Sequence, residues 1–401
     1  MEKMTNWEEL EWRGLVKDVA GADIKDKINN ESLTFYWGTD PTADSLHLGH
    51  YSSLVTAKRL MKMGHKPILL CGGATGRIGD PRPTSEREII SIEALNNNIK
   101  GIQSQIDEIF EGNVKLVNNY DWFKGYEFLD FLRDIGKYVN VNYMLNKDII
   151  NRRLETGITY AEFSYMLIQG YDFLNMYEKM NCTMQVAGSD QWGNITTGID
   201  LIRKILGKEA YGFTMPLILD ANGKKFGKSE GNALWLDKNK TSSYALYQYL
   251  INTDDSKVEE YLKVFTFLTK EEIESVMLKH NEKKELRIAQ KTLAKCIITD
   301  LRGKEEYEKA LKISEALFTD KINTLTKEDI VNNLNTVPQV SFEEGNIVDV
   351  LVAAKIFSSK REARELISGN ALSLNNQKIT DLEYKITKDK AIDGEIFLIR
   401  K

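Results

Sequence analysis

Cysteine is scarce. Three residues, Cys71, Cys182 and Cys296, are scattered through 401, with no C-x-x-C pair, which excludes a disulfide framework and a cysteine-built zinc site and fits a reducing compartment. No stretch reaches 18 consecutive apolar residues, and the opening MEKMTNWEEL carries acid where an export signal has basic residues followed by an apolar run. Neither a membrane span nor secretion is expected, and the cytoplasm is the expected location. Positive charge is not in excess either: 54 Lys and Arg against 59 Asp and Glu leave a net charge of −5, the wrong sign for a protein that coats nucleic acid through bulk electrostatics. Internal repeats and low-complexity tracts are absent. What remains is an ordinary globular composition, 42% hydrophobic and 28% charged, which excludes disorder and collagen-like structure. The length accommodates two or three domains of roughly 150 residues each. Charge is unevenly spread, since residues 346–401 carry +2 and the remainder −7, a mildly basic tail on an acidic body.

Strand and helix patterns alternate through the first half. LTFYWG at 33–38 reads as a buried strand closing on Thr39-Asp40-Pro41, a helix spans about 49–63 and stops at Gly64, and PILLCGG at 67–73 is the next strand. A strand, helix and strand within about 40 residues form a parallel crossover unit. Short apolar runs at 114–117 and 184–187 extend the pattern, and 215–220 (MPLILD) is strand-like. The expected fold class is α/β, a dinucleotide-fold parallel sheet with ligands at the carboxyl ends of its strands. Residues 36–40, 72–80 and 188–191 would then border one crevice. Beyond Leu236 the character changes to a proline-free helical stretch over 242–318, a polar linker candidate containing Pro338, and a small third unit. The expected domains are 1–235, 236–320, a linker at 321–345, and 346–401.

His47-Leu48-Gly49-His50 stands between the first loop and the first helix. With four histidines and 27 glycines in the chain, H-x-G-H is expected by chance only about 0.003 times. Two imidazoles at a helix N-terminus, beside a glycine that admits close approach, suit a triphosphate. A metal site would need a third ligand nearby, and none is present, so no metal ligand is expected. Far downstream, Lys225-Phe226-Gly227-Lys228-Ser229 places two lysines where they could neutralise polyphosphate; alone, it reads as a solvated basic turn. In the otherwise apolar 160–179 helix, Tyr165, Gln169 and Asp172 are spaced i, i+4, i+7 and share one face. Such polar groups are either a satisfied core network or a pocket for a polar ligand.

In this order, HLGH and KFGKS resemble the HIGH and KMSKS signatures of the class I aminoacyl-tRNA synthetases, which form an aminoacyl adenylate from ATP and an amino acid and pass it to tRNA. GTDPTADSLHLGH, GGATGRIGDP, YDFL, GSDQWGNI and KFGKS narrow the resemblance to the bacterial tyrosyl-tRNA synthetases, and it covers essentially the whole chain. The resemblance implies that Tyr36 and Asp172 bind the substrate phenol, that Asp80, Tyr165 and Gln169 hold the α-ammonium, and that His47 and His50 bind ATP phosphates. It places Asp40 and Thr42 in the same site, Gly38, Gly188, Asp190 and Gln191 by the adenylate ribose and carbonyl, and Lys225, Lys228 and Ser229 on pyrophosphate. Arg82 and Arg87 match basic residues of a second loop. That loop is one residue short here and has Arg82-Pro83 in place of Gly and Lys, Trp37 is bulky beside the ribose, and Ser53 replaces a threonine found in some members.

The implied chemistry needs no protein nucleophile, acid or base: positioning and charge stabilisation suffice, with Mg²⁺ on the phosphates and no protein-bound metal. A site that hydrogen-bonds a hydroxyl rejects the analogue lacking it by about 10⁴–10⁵-fold, a range known from tyrosine enzymes themselves, and no editing domain is needed. In the tail, Lys360, Arg361 and Arg364 open and line a short helix ended by Gly369-Asn370, ahead of a strand and an Asn-Asn turn. As a pattern this is a solvated helix face; by resemblance it is the small RNA-binding fold of bacterial tyrosyl enzymes, and 242–318 resembles their anticodon-binding domain. The implied partners are L-tyrosine, ATP, tRNA(Tyr) and a second copy of the chain, with no membrane. Three rivals remain: a tryptophanyl enzyme, against which Tyr36 and Asp172 argue; a tRNA-independent nucleotidylyltransferase, against which KFGKS and the RNA-type domains argue; and a non-catalytic RNA-binding paralogue, which would have lost the histidines or lysines.

Overall fold

Six strands form one sheet, seen in a computed structural model that describes residues 4–401 except 82–87, 230–231, 320 and 335–336. They are β1 (Val19–Ala20), β2 (Thr34–Thr39), β3 (Lys66–Cys71), β4 (Lys115–Asn118), β5 (Cys182–Gly188) and β6 (Tyr211–Met215), ordered β1-β6-β5-β2-β3-β4. All neighbours run parallel except the edge pair β1 and β6. Phe35, Tyr36 and Trp37 in β2 are consecutive and all buried, as a strand covered on both faces requires. The Leu48–Lys62 helix joins β2 to β3, the Tyr160–Met180 helix precedes β5, and the Trp192–Leu206 helix joins β5 to β6. From β2 the chain moves outward through β3 and β4, then returns to β5 and β6. The order therefore reverses between β2 and β5, and their carboxyl ends open the crevice. The strand expected at 215–220 lies earlier, at Tyr211–Met215, because Pro216 has no N–H to continue the ladder.

The second compact unit, residues Lys238–Thr253 and Gln290–Lys401, is helical and then mixed. Its C-terminal part carries the helices Ile347–Ala353 and Lys360–Ser368 and short strands, two of them joined at Asn375 and Asn376, whose φ of 47° and 63° suit a tight hairpin turn. Residues 321–345 are not bare linker: Ile322, Leu325, Ile330 and Leu334 are buried against Ile313, Ala316, Leu317 and Ile392. Their irregular spacing hid that face.

The first unit contains Asp254–Ala289 together with everything up to Asp237, so the helical stretch expected to begin after Leu236 is divided between the two units. Two buried arginines bind the segment in place. Arg13 donates to the carbonyls of Lys263, Thr266 and Leu268 at 2.7–3.1 Å, and Arg59 to those of Val264 and Thr266 at 3.4 and 2.8 Å. These carbonyls lie at the end of the Asp255–Phe265 helix, where its last C=O groups lack intrahelical partners and the dipole favours cations. Glu9 accepts from both guanidiniums, at 2.8 and 3.3 Å. Arg59→Ala takes the guanidinium donor from the Val264 carbonyl, leaves the Thr266 carbonyl with Arg13 alone, and opens a void in a dry environment. It should lower unfolding stability by about 2–4 kcal/mol, measured by urea denaturation, whereas a surface Arg→Ala change costs under about 0.5 kcal/mol.

Candidate active site

The crevice holds a cavity of about 400 Å³ with two chemically distinct ends. At the outer end, His47 caps the Leu48–Lys62 helix: its Nδ1 accepts the Gly49 N–H at 3.1 Å, while Nδ1 of His50 accepts the His47 N–H at 3.2 Å. With both Nδ1 atoms acting as acceptors, each neutral ring carries its proton on Nε2, a donor available to an anion. The rings stack with centroids 3.9 Å apart. Burial pushes His50 down to about 3, with His47 adding to the shift, and burial together with Lys228 lowers His47. Both are therefore uncharged hydrogen-bond donors at neutral pH.

The lysine motif sits against this cap. Leu48 N–H donates to the Leu234 carbonyl at 2.7 Å, Leu234 N–H to Gly227 at 3.0 Å, and Leu236 N–H to Leu46 at 2.8 Å. Gly227 has φ +86° and a Cβ there would lie 2.7 Å from the Gly49 nitrogen, so the glycines of the two motifs allow the backbones to touch. Lys225 and Lys228 both line the cavity.

The inner end is a polar network in an apolar wall. Asp172 is buried; its Oδ2 accepts from Asn119 at 3.1 Å and its Oδ1 from the Trp122 indole at 2.8 Å. Burial pushes its carboxyl up to about 8 against the pull of those two donors. Asn119 also donates to Thr75, whose hydroxyl donates to Asp40 Oδ1 at 2.7 Å, and Tyr165 donates to Asp40 Oδ2 at 2.9 Å. A Cβ on Gly72 would fall 2.1 Å from Asp40 Oδ1, so only glycine lets the strand end approach this network. A second chain runs from Gln191 to Asp80 at 2.8 Å, and from Asn194 to Gln191 and Gln169, both at 2.8 Å. Against this satisfied background the Tyr36 hydroxyl is buried with no hydrogen-bond partner among the described residues, its ring edge-on to Phe173 at 5.4 Å. Burial, then the Asp172 charge, holds its pKa well above the ordinary value, so it is a protonated donor.

The cavity brings together Tyr36, Gly38, Asp40, Thr42, His47, His50, Asp80, Tyr165, Gln169, Asp172, Gly188, Asp190, Gln191, Lys225 and Lys228, with Trp37 and Ser53 also on its wall. Arg82 and Arg87 lie outside the described residues, as does the Ser229 side chain. Lys360, Arg361 and Arg364 belong to the second unit. Asn119 and Trp122 went unnoticed in the sequence, whereas Thr75 and Asn194 stood out only as members of the GGATGRIGDP and GSDQWGNI segments, with no role of their own. A polar pair, Asn118-Asn119, at the carboxyl end of an apolar strand was the available signal for the first.

A family model described as tRNA synthetases class I (W and Y) matches residues 28–319, and one described as a tyrosine–tRNA ligase SYY-like C-terminal domain matches 329–401. The tyrosine–tRNA ligase of Staphylococcus carnosus (strain TM300) is 47% identical over 409 residues, spanning 99% of this chain and 97% of its own. That of Streptococcus uberis is 47% identical over 408 residues, spanning 99% and 98%. Among solved structures, a C-terminally truncated mitochondrial tyrosyl-tRNA synthetase of Aspergillus nidulans superposes with a TM-score of 0.71 at 32% identity, over 79% of this chain and 95% of that one. The chain belongs to the class I tRNA synthetases of the tryptophan and tyrosine group. Within that group it stands with the bacterial tyrosine–tRNA ligases, whose members match both its catalytic and its C-terminal parts.

The depressed His50 pKa makes stability depend on pH with a definite sign. An unfolded imidazole takes up its proton near 6.5, and native His50 only near 3. Between these values the unfolded chain binds the extra proton, so the contribution is complete above 6.5 and is lost on acidification toward 3. His50→Gln should make the fall in urea-unfolding stability between pH 7 and 5 shallower than in the unaltered protein; identical slopes would remove His50 from the account.

Proposed function

We propose that this tyrosine–tRNA ligase divides its reaction along the cavity, the amino acid at the inner end and the nucleotide at the outer. The phenol of tyrosine accepts from the Tyr36 hydroxyl and donates to Asp172. Asp80, Tyr165 and Gln169 face the α-ammonium, already steadied by the Asp40 and Gln191 contacts. Gly38, Gly188, Asp190 and Gln191 border the ribose and carbonyl, with Asp40 and Thr42 beside them. A carboxylate oxygen of tyrosine attacks the α-phosphorus and the bond to the bridging oxygen of pyrophosphate breaks. His47 and His50 donate Nε2–H to phosphate oxygens as charge develops, and Lys225 and Lys228 neutralise the departing pyrophosphate; the family motif assigns Ser229 and Arg87 to the same phosphates. The terminal ribose of tRNA then takes the tyrosyl group and AMP leaves.

The observation that carries this reading is the Tyr36 hydroxyl, buried without a partner among the described residues. Leaving such a group unsatisfied costs about 1–3 kcal/mol, which a bound phenol recovers and a phenyl ring does not. An indole places no oxygen there, which disfavours tryptophan. The donors at the outer end are protonated nitrogens, unfit to ligate a cation, and among the described residues no cluster of three or more His, Cys, Asp or Glu is gathered to hold one. Mg²⁺ would therefore be held by the phosphate oxygens, whose charge it offsets.

The same proposal extends to partners and place. Phe128, Leu129, Val141, Leu154 and Tyr160 are exposed apolar residues within one stretch of the first unit, a surface suited to a second copy of the chain. In the second unit, residues 290–318 belong to the anticodon-binding region and 346–401 to an RNA-binding domain. There Lys360 is paired with Asp349 at 2.6 Å and Arg361 with Glu365 at 2.8 Å, both pairs exposed, and Arg364 is exposed on the same helix. Surface pairs of this kind are worth about 0–1 kcal/mol, so phosphates can displace the carboxylates. Among the described residues no helix is long and apolar enough to cross a membrane, and the cytoplasm is the proposed location.

Amino-acid-dependent ATP–pyrophosphate exchange without tRNA tests the reading. Tyrosine should support exchange, phenylalanine and tryptophan should not, and Asp172→Asn should reduce it by at least about 100-fold with the fold intact. Near-normal turnover in that variant would defeat the pocket assignment. The triple change Lys360→Ala, Arg361→Ala, Arg364→Ala should leave exchange unchanged, raise the KM for tRNA several-fold and flatten its salt dependence; unaltered charging would exclude these residues from RNA contact.

A further inference from the structure

Phe226 lies between the two cavity lysines and, like Phe265, contributes to the cavity wall, while its ring is packed inward against the body of the unit. Only 4% of it is exposed. Its ring meets Tyr261 edge-on at 4.7 Å and stacks on Phe265 at 4.5 Å with an interplanar angle of 24°. Phe265 in turn stacks on Tyr51 at 5.9 Å and 11°. Tyr51 belongs to the helix that His47 caps and that carries His50 in its first turn. The three stacked rings therefore run from the histidine helix to the lysine motif. Their footing is firm: Phe265 ends the helix clamped by Arg13 and Arg59, and the Tyr261 hydroxyl donates to the Leu219 carbonyl at 3.0 Å. On the other side, Phe226 N–H donates to Ile218 at 3.0 Å and Gly227 lies against Gly49.

The lysines themselves are exposed. A lysine side chain has many rotamers of similar energy, so its ammonium can be aimed only as well as its backbone is fixed. We infer that Phe226 is a positioning residue: its seat between Tyr261 and Phe265 sets the location of the Lys225–Lys228 backbone, and hence where both ammonium groups meet the departing pyrophosphate. This role rests on the proposed function of the two lysines. Aromatic contacts add to the stability of a seat beyond the burial of the rings, and a displacement of about 1 Å at a reacting group can cost about 100-fold in rate.

The test is the single-turnover rate of tyrosyl-adenylate formation, read with the tyrosine Kd and the thermal midpoint, in the full chain. Phe226→Ala should slow adenylate formation by about 10- to 100-fold and leave the tyrosine Kd within about twofold. Phe226→Leu, which keeps apolar volume without the ring, should fall between and stands in if the alanine variant does not fold. In a Lys225→Ala, Lys228→Ala background, Phe226→Ala should cost less than about twofold more, because nothing is left to position. A single-variant rate equal to the unaltered protein, a loosened tyrosine Kd, or an equal loss with and without the lysines would overturn the inference. If the double lysine change itself leaves the rate unaltered, the assigned role of the lysines fails first, a result distinct from failure of Phe226 alone.

Discussion

The outer half of the active site depends on two backbones touching. Gly49 and Gly227 come so close that a single Cβ on the second would lie 2.7 Å from the nitrogen of the first, and hydrogen bonds from Leu48, Leu234 and Leu236 hold the strands of chain around that contact. Because of it, residues nearly 180 positions apart present imidazole and ammonium groups to one volume. It also fixes the tautomers: with the helix N-terminus turned toward Gly227, the amides of His47 and Gly49 occupy both Nδ1 atoms and leave both Nε2–H groups for an anion. Charge is kept off the rings by burial, so the site combines two neutral donors with two cations.

The inner half obeys the opposite rule. There the network is closed through Asp172, Asn119, Thr75, Asp40 and Tyr165, so its members are held in single rotamers before any ligand arrives. Rigidity of this kind is what the proposed discrimination between ligands by the Tyr36 hydroxyl requires. In a looser wall it would turn to a neighbouring oxygen, and the penalty for an absent phenol would disappear.

Much of this was legible in the chain. H-x-G-H and K-F-G-K-S are short, glycine-bearing and rich in rare or charged residues, so they stand out; Tyr165, Gln169 and Asp172 stand out as polar residues on an apolar helix. The central strands followed from buried runs bounded by turn residues; the two-residue edge strand β1 carries no such run and was missed, and Pro216 ends β6 earlier than the apolar run suggests. Asn119, Thr75 and Trp122 were not legible as site residues, because none stands in a pattern of its own and their importance arises from the strand order that brings β4 beside β3. Tyr261 and Phe265 were hidden differently: aromatic residues at helical spacing look like any core. The division of 236–320 between two units was invisible because amphipathic helices show that they pack, not against what.

The chain passes between its two compact units three times, leaving the first after Asp237, re-entering it at Asp254 and leaving again after Ala289. The segment that returns brings Tyr261 and Phe265 back under the lysine motif. A fragment that stops soon after that motif would contain every residue expected to touch tyrosine or ATP and still lack the surface on which the motif rests. In evolutionary terms the catalytic unit is therefore not a cassette with one cut point. Recombination that exchanges its RNA-binding part must preserve residues 254–289 or supply their equivalent, which restricts how such enzymes can acquire new partners by shuffling gene segments.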